Sequence, residues 1–222
     1  DRRYKIIVVY QELNEENRNN LAKLVEDYPN FEMEFKFMKQ SLDMITDRIE
    51  NRLRSDYFTM TIYFRIFIPD MYPEYDKAIY IDSDIIVPGD ISELYNTDIT
   101  EYEYAAVKEK YGSKMIRPDY INAGMLLLNM KKIKETKLLV KARELIKNRK
   151  LIFADQSAIY YSTTSKLLLP RIYNEQSKFN KKDTVICHFC KRLLWRPYPH
   201  TENFKQWQIE EVHKILKCYA FD

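Results

Sequence analysis

Short apolar runs, each too brief for a helix and set apart by stretches of helical periodicity, constrain this chain more than any other feature. Residues 5–10 (KIIVVY) are apolar and β-branched, and read as a strand buried on both faces. Residues 78–81, 104–107, 125–128 and 184–187 read as further strands, and residues 31–38 alternate apolar with charged side chains as a half-exposed strand does. Helices lie between them. Asn14 is placed to cap one, with Leu21, Leu24, Val25 and Tyr28 on one face and Pro29 as the stop. Ile45, Ile49 and Leu53 share a helical face from about Ser41, and a helix over 59–67 is closed by Pro69. KKIKETKLLVKARELIKNRK is helical, and Asp155 opens one more helix. Alternation of this kind predicts an α/β sandwich around a mostly parallel sheet over residues 1–190, followed by a basic, aromatic extension over 191–222.

Composition closes off several function classes. The 222 residues include only three glycines, so no Gly-rich phosphate loop, P-loop or GxGxxG, exists. A net charge of +3 is too small for a nucleic-acid stripe. Three cysteines, Cys187, Cys190 and Cys218, are an odd number in a chain too large to need staples, which suits a reducing cytoplasm. Apolar runs stay well short of the roughly 20 residues of a membrane span. Tyrosine (18) and phenylalanine (11) are abundant, as in a cleft lined with flat amphipathic rings.

The sharpest chemical signal is AIYIDSDIIVPGDISELY. In an extended segment residues i and i+2 point the same way, so Asp82 and Asp84 present two carboxylates together across Ser83. They follow a buried strand, and open α/β sheets bind ligands beyond the carboxyl ends of their strands. Two carboxylates this close repel, unless a cation sits between them. Oxygen ligands with open positions suit Mg²⁺ or Mn²⁺, which would bridge a diphosphate. The plain alternative is a solvated acidic turn.

YFRIFIP, DKAIYIDSDIIVPGDISELY, YINAGMLLLNMKKIKE, FADQSAIYY and VICHF, in that order, resemble the motif series of the family 8 glycosyltransferases, retaining enzymes of the GT-A fold. The resemblance runs from the first strand to about Cys190. It implies Asp82 and Asp84 as metal ligands with His188 as a third, and an imidazole beside two carboxylates favours Mn²⁺ over Mg²⁺. It implies that Arg65, with Asp82, Ser83 and Asp84, lies near the donor sugar and diphosphate, that the sugar rests on a loop of Asn122, Ala123 and Gly124, and that Asp155 and Gln156 contact the sugar near its reacting carbon. Plainer roles stand beside these: a buried ion pair for Arg65, a tight turn for Gly124, a helix N-cap for Asp155, a structural core histidine for His188. A zinc reading of Cys187-His188-Phe189-Cys190 lacks partner ligands.

Two segments depart from the family. Its first strand, with the Asp-rich stretch and tyrosine that hold the uracil base, has no counterpart here. Its Gly-x-x-Lys-Pro-Trp after the histidine is replaced by CKRLLWRPYPH, where Lys191 or Arg192 would substitute for the diphosphate lysine. The expected activity is metal-dependent transfer of glucose or galactose from a UDP-sugar to a glycan or lipopolysaccharide-type acceptor; the alternative is a degenerate nucleotide-sugar-binding module of the same fold. The bases and Trp195, Tyr198, Phe204 and Trp207 of the extension read either as a peripheral attachment to the inner face of a membrane or as a helix packed on the core.

Overall fold

The computed structural model describes residues 2–38, 60–177 and 182–190. The chain opens with a parallel pair, β1 (Tyr4–Tyr10) and β2 (Phe31–Phe37), joined through α1 (Glu15–Lys23). Asn14 caps α1 as read, its side chain accepting from the Asn17 N–H at 2.8 Å. The helix stops at Lys23, a turn earlier than Pro29 requires, and none of its residues is fully buried. Nor is β1 buried on both faces: Ile6 is 37% exposed and no residue of the strand is fully covered. Among the described residues β1 makes one ladder, to β2, and Ile7 and Val9 pack on the main core from its rim.

The central sheet has the order β3-β6-β5-β7, from β3 (Lys77–Ile81), β6 (Ile121–Asn129), β5 (Tyr104–Lys108) and β7 (Lys166–Leu168). The α/β class holds, but strand direction needs correction: β6 runs antiparallel to both β3 and β5, and only β7 is parallel to its neighbour. Periodicity reports where strands are and carries no direction. The β5–β6 link, residues 109–120, contains only the single-turn helix α4 (Gly112–Met115), after α3 (Ser92–Asn96) earlier in the chain, and this is no crossover helix of the kind a parallel pair uses.

Each face of this sheet carries its own core. Tyr104, Ala106, Ile121, Ala123, Leu126 and Leu128 point to one side, against the 3₁₀ helix Met60–Phe67 and helices α5 (Met130–Thr136), α6 (Leu138–Asn148) and α7 (Ala154–Ser162). Ala105, Val107, Met125 and Leu127 point to the other, against Leu94, Ile99, Tyr173 and Ile186. The segment read as one helix over 59–67 is 3₁₀, and Pro69 does not end it; it sits in the first turn of α2 (Ile68–Met71), where its missing N–H costs nothing. The long basic helix is broken in two at Lys137, whose φ of 57° is left-handed. The last strand is shorter than 184–187 suggested: β8 (Cys187–His188) pairs antiparallel with β4 (Ile85–Ile86). The helix read from Ser41 lies outside the described residues.

Inward residues of β6 switch parity between Ala123 and Leu126. The cause is a register shift: Ala106 pairs with Leu126, but the next residue, Val107, pairs with Asn122. Residues 123–125 therefore have no partner in β5, and a bulge of this kind bends a strand and re-aims what it carries. The candidate site is built on it.

Candidate active site

Asp82 is the first residue after β3, and Ser83 and Asp84 form a turn into β4. The extended geometry read for Asp82-Ser83-Asp84 is thus replaced by a turn, and the two carboxylates converge through tertiary pairing instead. The β4–β8 ladder sets Ile85 opposite His188, and Phe189 N–H donates to the Asp84 carbonyl at 3.0 Å. His188 Nε2 then lies 3.2 Å from Asp84 Oδ1 and 3.8 Å from Asp82 Oδ2, and one ligand atom from each of the three residues falls within 4.8 Å of the others. Ser83 is exposed in the turn.

One oxygen of Asp82 is already taken. Tyr80 Oη donates to Asp82 Oδ1 at 2.6 Å and Arg65 Nη2 does so at 2.9 Å, so Oδ2 is the atom left to face His188. Tyr80 was not among the residues singled out by sequence, although its position two before Asp82 on β3 is a legible signal.

Residues Asn122, Ala123 and Gly124 are not a loop; they lie within β6, at its bulge. Backbone groups freed there must find other partners. Ala123 N–H donates to Gln156 Oε1 at 2.9 Å, and Ala123 C=O accepts from Arg65 Nη1 at 2.5 Å. Gly124 N–H donates to Asn122 Oδ1 at 3.0 Å, and Gly124 C=O accepts from Asp82 N–H at 2.8 Å. Every one of these partners is a residue the sequence had marked. Gly124 has no positive φ, so no tight turn explains it. Close approach does: a Cβ there would lie 2.2 Å from His188 Cε1 and 2.8 Å from Asp82 Oδ2.

Asp155 is not the N-cap of α7. Phe153 holds that position and Asp155 sits in the first turn, buried. Arg65 Nε is 2.9 Å from Asp155 Oδ2, but its N–H is aimed at the Ile62 carbonyl, 3.1 Å away. The ion pair therefore leaves Asp155 Oδ2 buried without a hydrogen bond. Burial, with some help from Asp82, raises the Asp155 carboxyl above the usual carboxylate range against the opposing pull of Arg65. Burial also works against charge on Arg65, and Asp155, Tyr80, Asp82 and Asp84 together more than offset it. At His188 burial is outweighed by the hydrogen bond to Asp84, with Cys190 contributing, and the pKa rises to about 10. A cation entering here displaces that proton.

The donor set fits a divalent ion. Two carboxylates and an imidazole supply hard oxygens and one nitrogen, and Gly124 keeps the strand flush against them, where a larger residue would fill their space. Cys187 and Cys190 are not part of this cluster. Lys191 and the aromatic extension lie outside the described residues. Among those described, no helix is long and apolar enough to cross a membrane.

An α/β/α sandwich with a paired-aspartate turn at the end of a central strand defines a GT-A type fold. The sequence pattern of the family described as Glycosyl transferase family 8 matches residues 1–193, and the chain belongs to that family. Glycosyltransferase GlyA of Streptococcus pneumoniae serotype 4 is 32% identical over 109 residues, covering 46% of this chain and 16% of that protein. GlyF of the same organism is 30% identical over 153 residues, 63% and 38% of the two chains. General stress protein A of Bacillus subtilis is 24% identical over 226 residues, 86% and 75%. The chain thus spans well under half the length of GlyA and GlyF. Of solved structures, the apo WbbM bifunctional glycosyltransferase superposes with a TM-score of 0.72 at 21% identity, covering 96% of this chain and 46% of that one. Galactosyltransferase LgtC in complex with donor and acceptor sugar analogs gives 0.64 at 18% identity, 98% and 86%. At these identities the structures establish the fold.

Proposed function

We propose that this chain is a retaining glycosyltransferase domain that moves glucose or galactose from a UDP-sugar to a glycan or lipid-linked glycan acceptor, with Asp82, Asp84 and His188 holding Mn²⁺, or Mg²⁺ in its place. The observation that carries the reading is the convergence of those three side chains within 4.8 Å at the end of a central strand. Family membership supports it, as does the likeness to LgtC, which was solved with donor and acceptor sugar analogs.

When bound, the ion supplies Lewis-acid neutralisation of charge on the departing diphosphate. The chain's own residues do the rest. Arg65 fixes Asp82 and Asp155 in one electrostatic unit at the wall of the site. Asp155, paired with Arg65 at that wall, accepts from a hydroxyl of the donor sugar and orients the ring. Gln156 Oε1 accepts from the Ala123 N–H with one lone pair and, with its second, stabilises positive charge developing on the ring. Ser83, exposed in the turn, faces the donor, Asn122, Ala123 and Gly124 form the buried backing of that wall, and Lys191 meets the diphosphate. The acceptor oxygen bonds to the anomeric carbon on the face the diphosphate leaves, the carbon–oxygen bond to phosphate breaks, and the hydroxyl proton passes to the departing oxygen. This front-face course is preferred because no second carboxylate pair of glycosidase type emerges from the motifs.

Release of UDP on adding Mn²⁺, a candidate acceptor and each of several UDP-hexoses in turn is the test. Turnover with one hexose, lost in Asp84→Ala, bears the reading out. Tight donor binding with no turnover for any pair points to a binding module instead. Membrane attachment through residues 191–222 is tested separately, by vesicle co-sedimentation with and without that tail.

A further inference from the structure

His188 is held from behind by two buried amides, Asn174 and Asn122, and Asn174 has no part in the donor and metal roles above. Its Nδ1 lies 3.1 Å from Asn174 Oδ1; Asn174 Nδ2 is 2.9 Å from Asn122 Oδ1; Asn122 Oδ1 also receives the Gly124 N–H at 3.0 Å. All three side chains are buried, Asn174 with no exposed surface at all. The backbone clamps this arrangement: Glu175 N–H donates to the Ile186 carbonyl and Glu175 C=O accepts from His188 N–H, so Asn174 stays in register beside β8.

Direction along these amides is set at one end. A backbone N–H can only donate, so Gly124 fixes the atom of Asn122 that faces it as the amide oxygen. Asn174 must then offer its NH₂ to that oxygen, which turns its own carbonyl oxygen toward His188. The imidazole has to answer with an N–H at Nδ1, which presents Nε2 to Asp82 and Asp84. We propose that Asn174 is a positioning residue that fixes the tautomer and ring orientation of His188, with the reference direction supplied by the Gly124 backbone through Asn122. A ring nitrogen that donates to a fixed acceptor makes the other a better-aimed and more basic ligand. The role rests on the metal reading of Asp82, Asp84 and His188.

Calorimetric titration of the chain with Mn²⁺ alone, and ¹⁵N-histidine NMR of the Zn²⁺-loaded chain, test it together. Asn174→Leu, with the same number and branching of side-chain heavy atoms but unable to accept, is expected to weaken Mn²⁺ binding by roughly 10- to 100-fold. Asn174→Asp, which keeps an acceptor toward Nδ1, is expected to bind Mn²⁺ more tightly than Asn174→Leu. In the wild-type chain NMR is expected to find the His188 proton on Nδ1. Wild-type affinity in a folded Asn174→Leu, or equal weakening in both variants, overturns the role while leaving the metal site standing; a proton on Nε2 takes His188 off the metal and overturns the role together with that ligand. No Mn²⁺ binding by the wild-type chain overturns the site and the role with it. Should Asn174→Leu fail to fold, Asn174→Ala, also unable to accept, takes its place in the comparison with Asn174→Asp.

Discussion

Gly124 faces the His188 imidazole so closely that a methyl group on its Cα would sit 2.2 Å from Cε1. The neighbours it would strike are side chains of the proposed metal site, His188 and Asp82, and those would have to move. Gly124→Ala is therefore expected to lower Mn²⁺ affinity about tenfold or more, and to cost about 1–3 kcal/mol of stability through overpacking. Calorimetry and urea denaturation measure the two. Unchanged Mn²⁺ affinity would show that the contact is dispensable to the site.

Arg65 is buried against Asp155 and Asp82. Arg65→Met leaves the Asp155 carboxylate buried and unpaired, and the unfolding free energy should fall by about 3–5 kcal/mol. Adding Asp155→Asn removes the stranded charge, so the double variant should be more stable than the sum of the two single effects predicts. Strict additivity in a urea double-mutant cycle would rule out the coupling.

Gln156 braces the bulge at Ala123 as well as facing the proposed donor pocket. Gln156→Ala is expected to reduce kcat at least about tenfold, equivalent to about 1.4 kcal/mol, with donor affinity nearly intact, because its contact strengthens chiefly in the transition state. Wild-type kcat at saturating donor and acceptor would leave Gln156 only its bracing role.

Glu103 is a fully buried carboxylate remote from the proposed chemistry. Burial pushes its pKa up, but donors on Thr136, Thr163, Ser165 and Thr164 more than offset this and hold it below the usual glutamate value. Between the depressed folded pKa and the unfolded value near 4.3 the unfolded chain binds more protons, so this contribution is complete above about pH 4.3 and is lost as pH falls through the folded pKa. Glu103→Gln should lower stability by about 1.5–3 kcal/mol at pH 7, and the gap to wild type should narrow on acidification below pH 4. A gap that stays constant across that range would refute the assignment.

The sequence by itself determined what is local. Apolar runs located β2, β3 and β5 to within a residue or two, Asn14 was legible as a cap, and the motif order carried the family and named most of the candidate site residues. Each depends on neighbours in the chain, whose spacing the backbone converts directly into a face, a cap or a turn. What the tertiary structure decided is non-local. Strand direction in the central sheet, the 3₁₀ form of Met60–Phe67, and the placement of Asp155 inside its helix are settled by packing that no local pattern encodes. Above all, the register shift between β5 and β6 frees the Ala123 and Gly124 peptides, and Arg65, Gln156, Asn122 and Asp82 gather there to satisfy them. Asn174 joins that group with no sequence signal, because its contacts with Asn122 and His188 arise only when β8 folds back beside β4. Buried backbone groups must be paired wherever the fold leaves them, and only the assembled sheet reveals which groups those are.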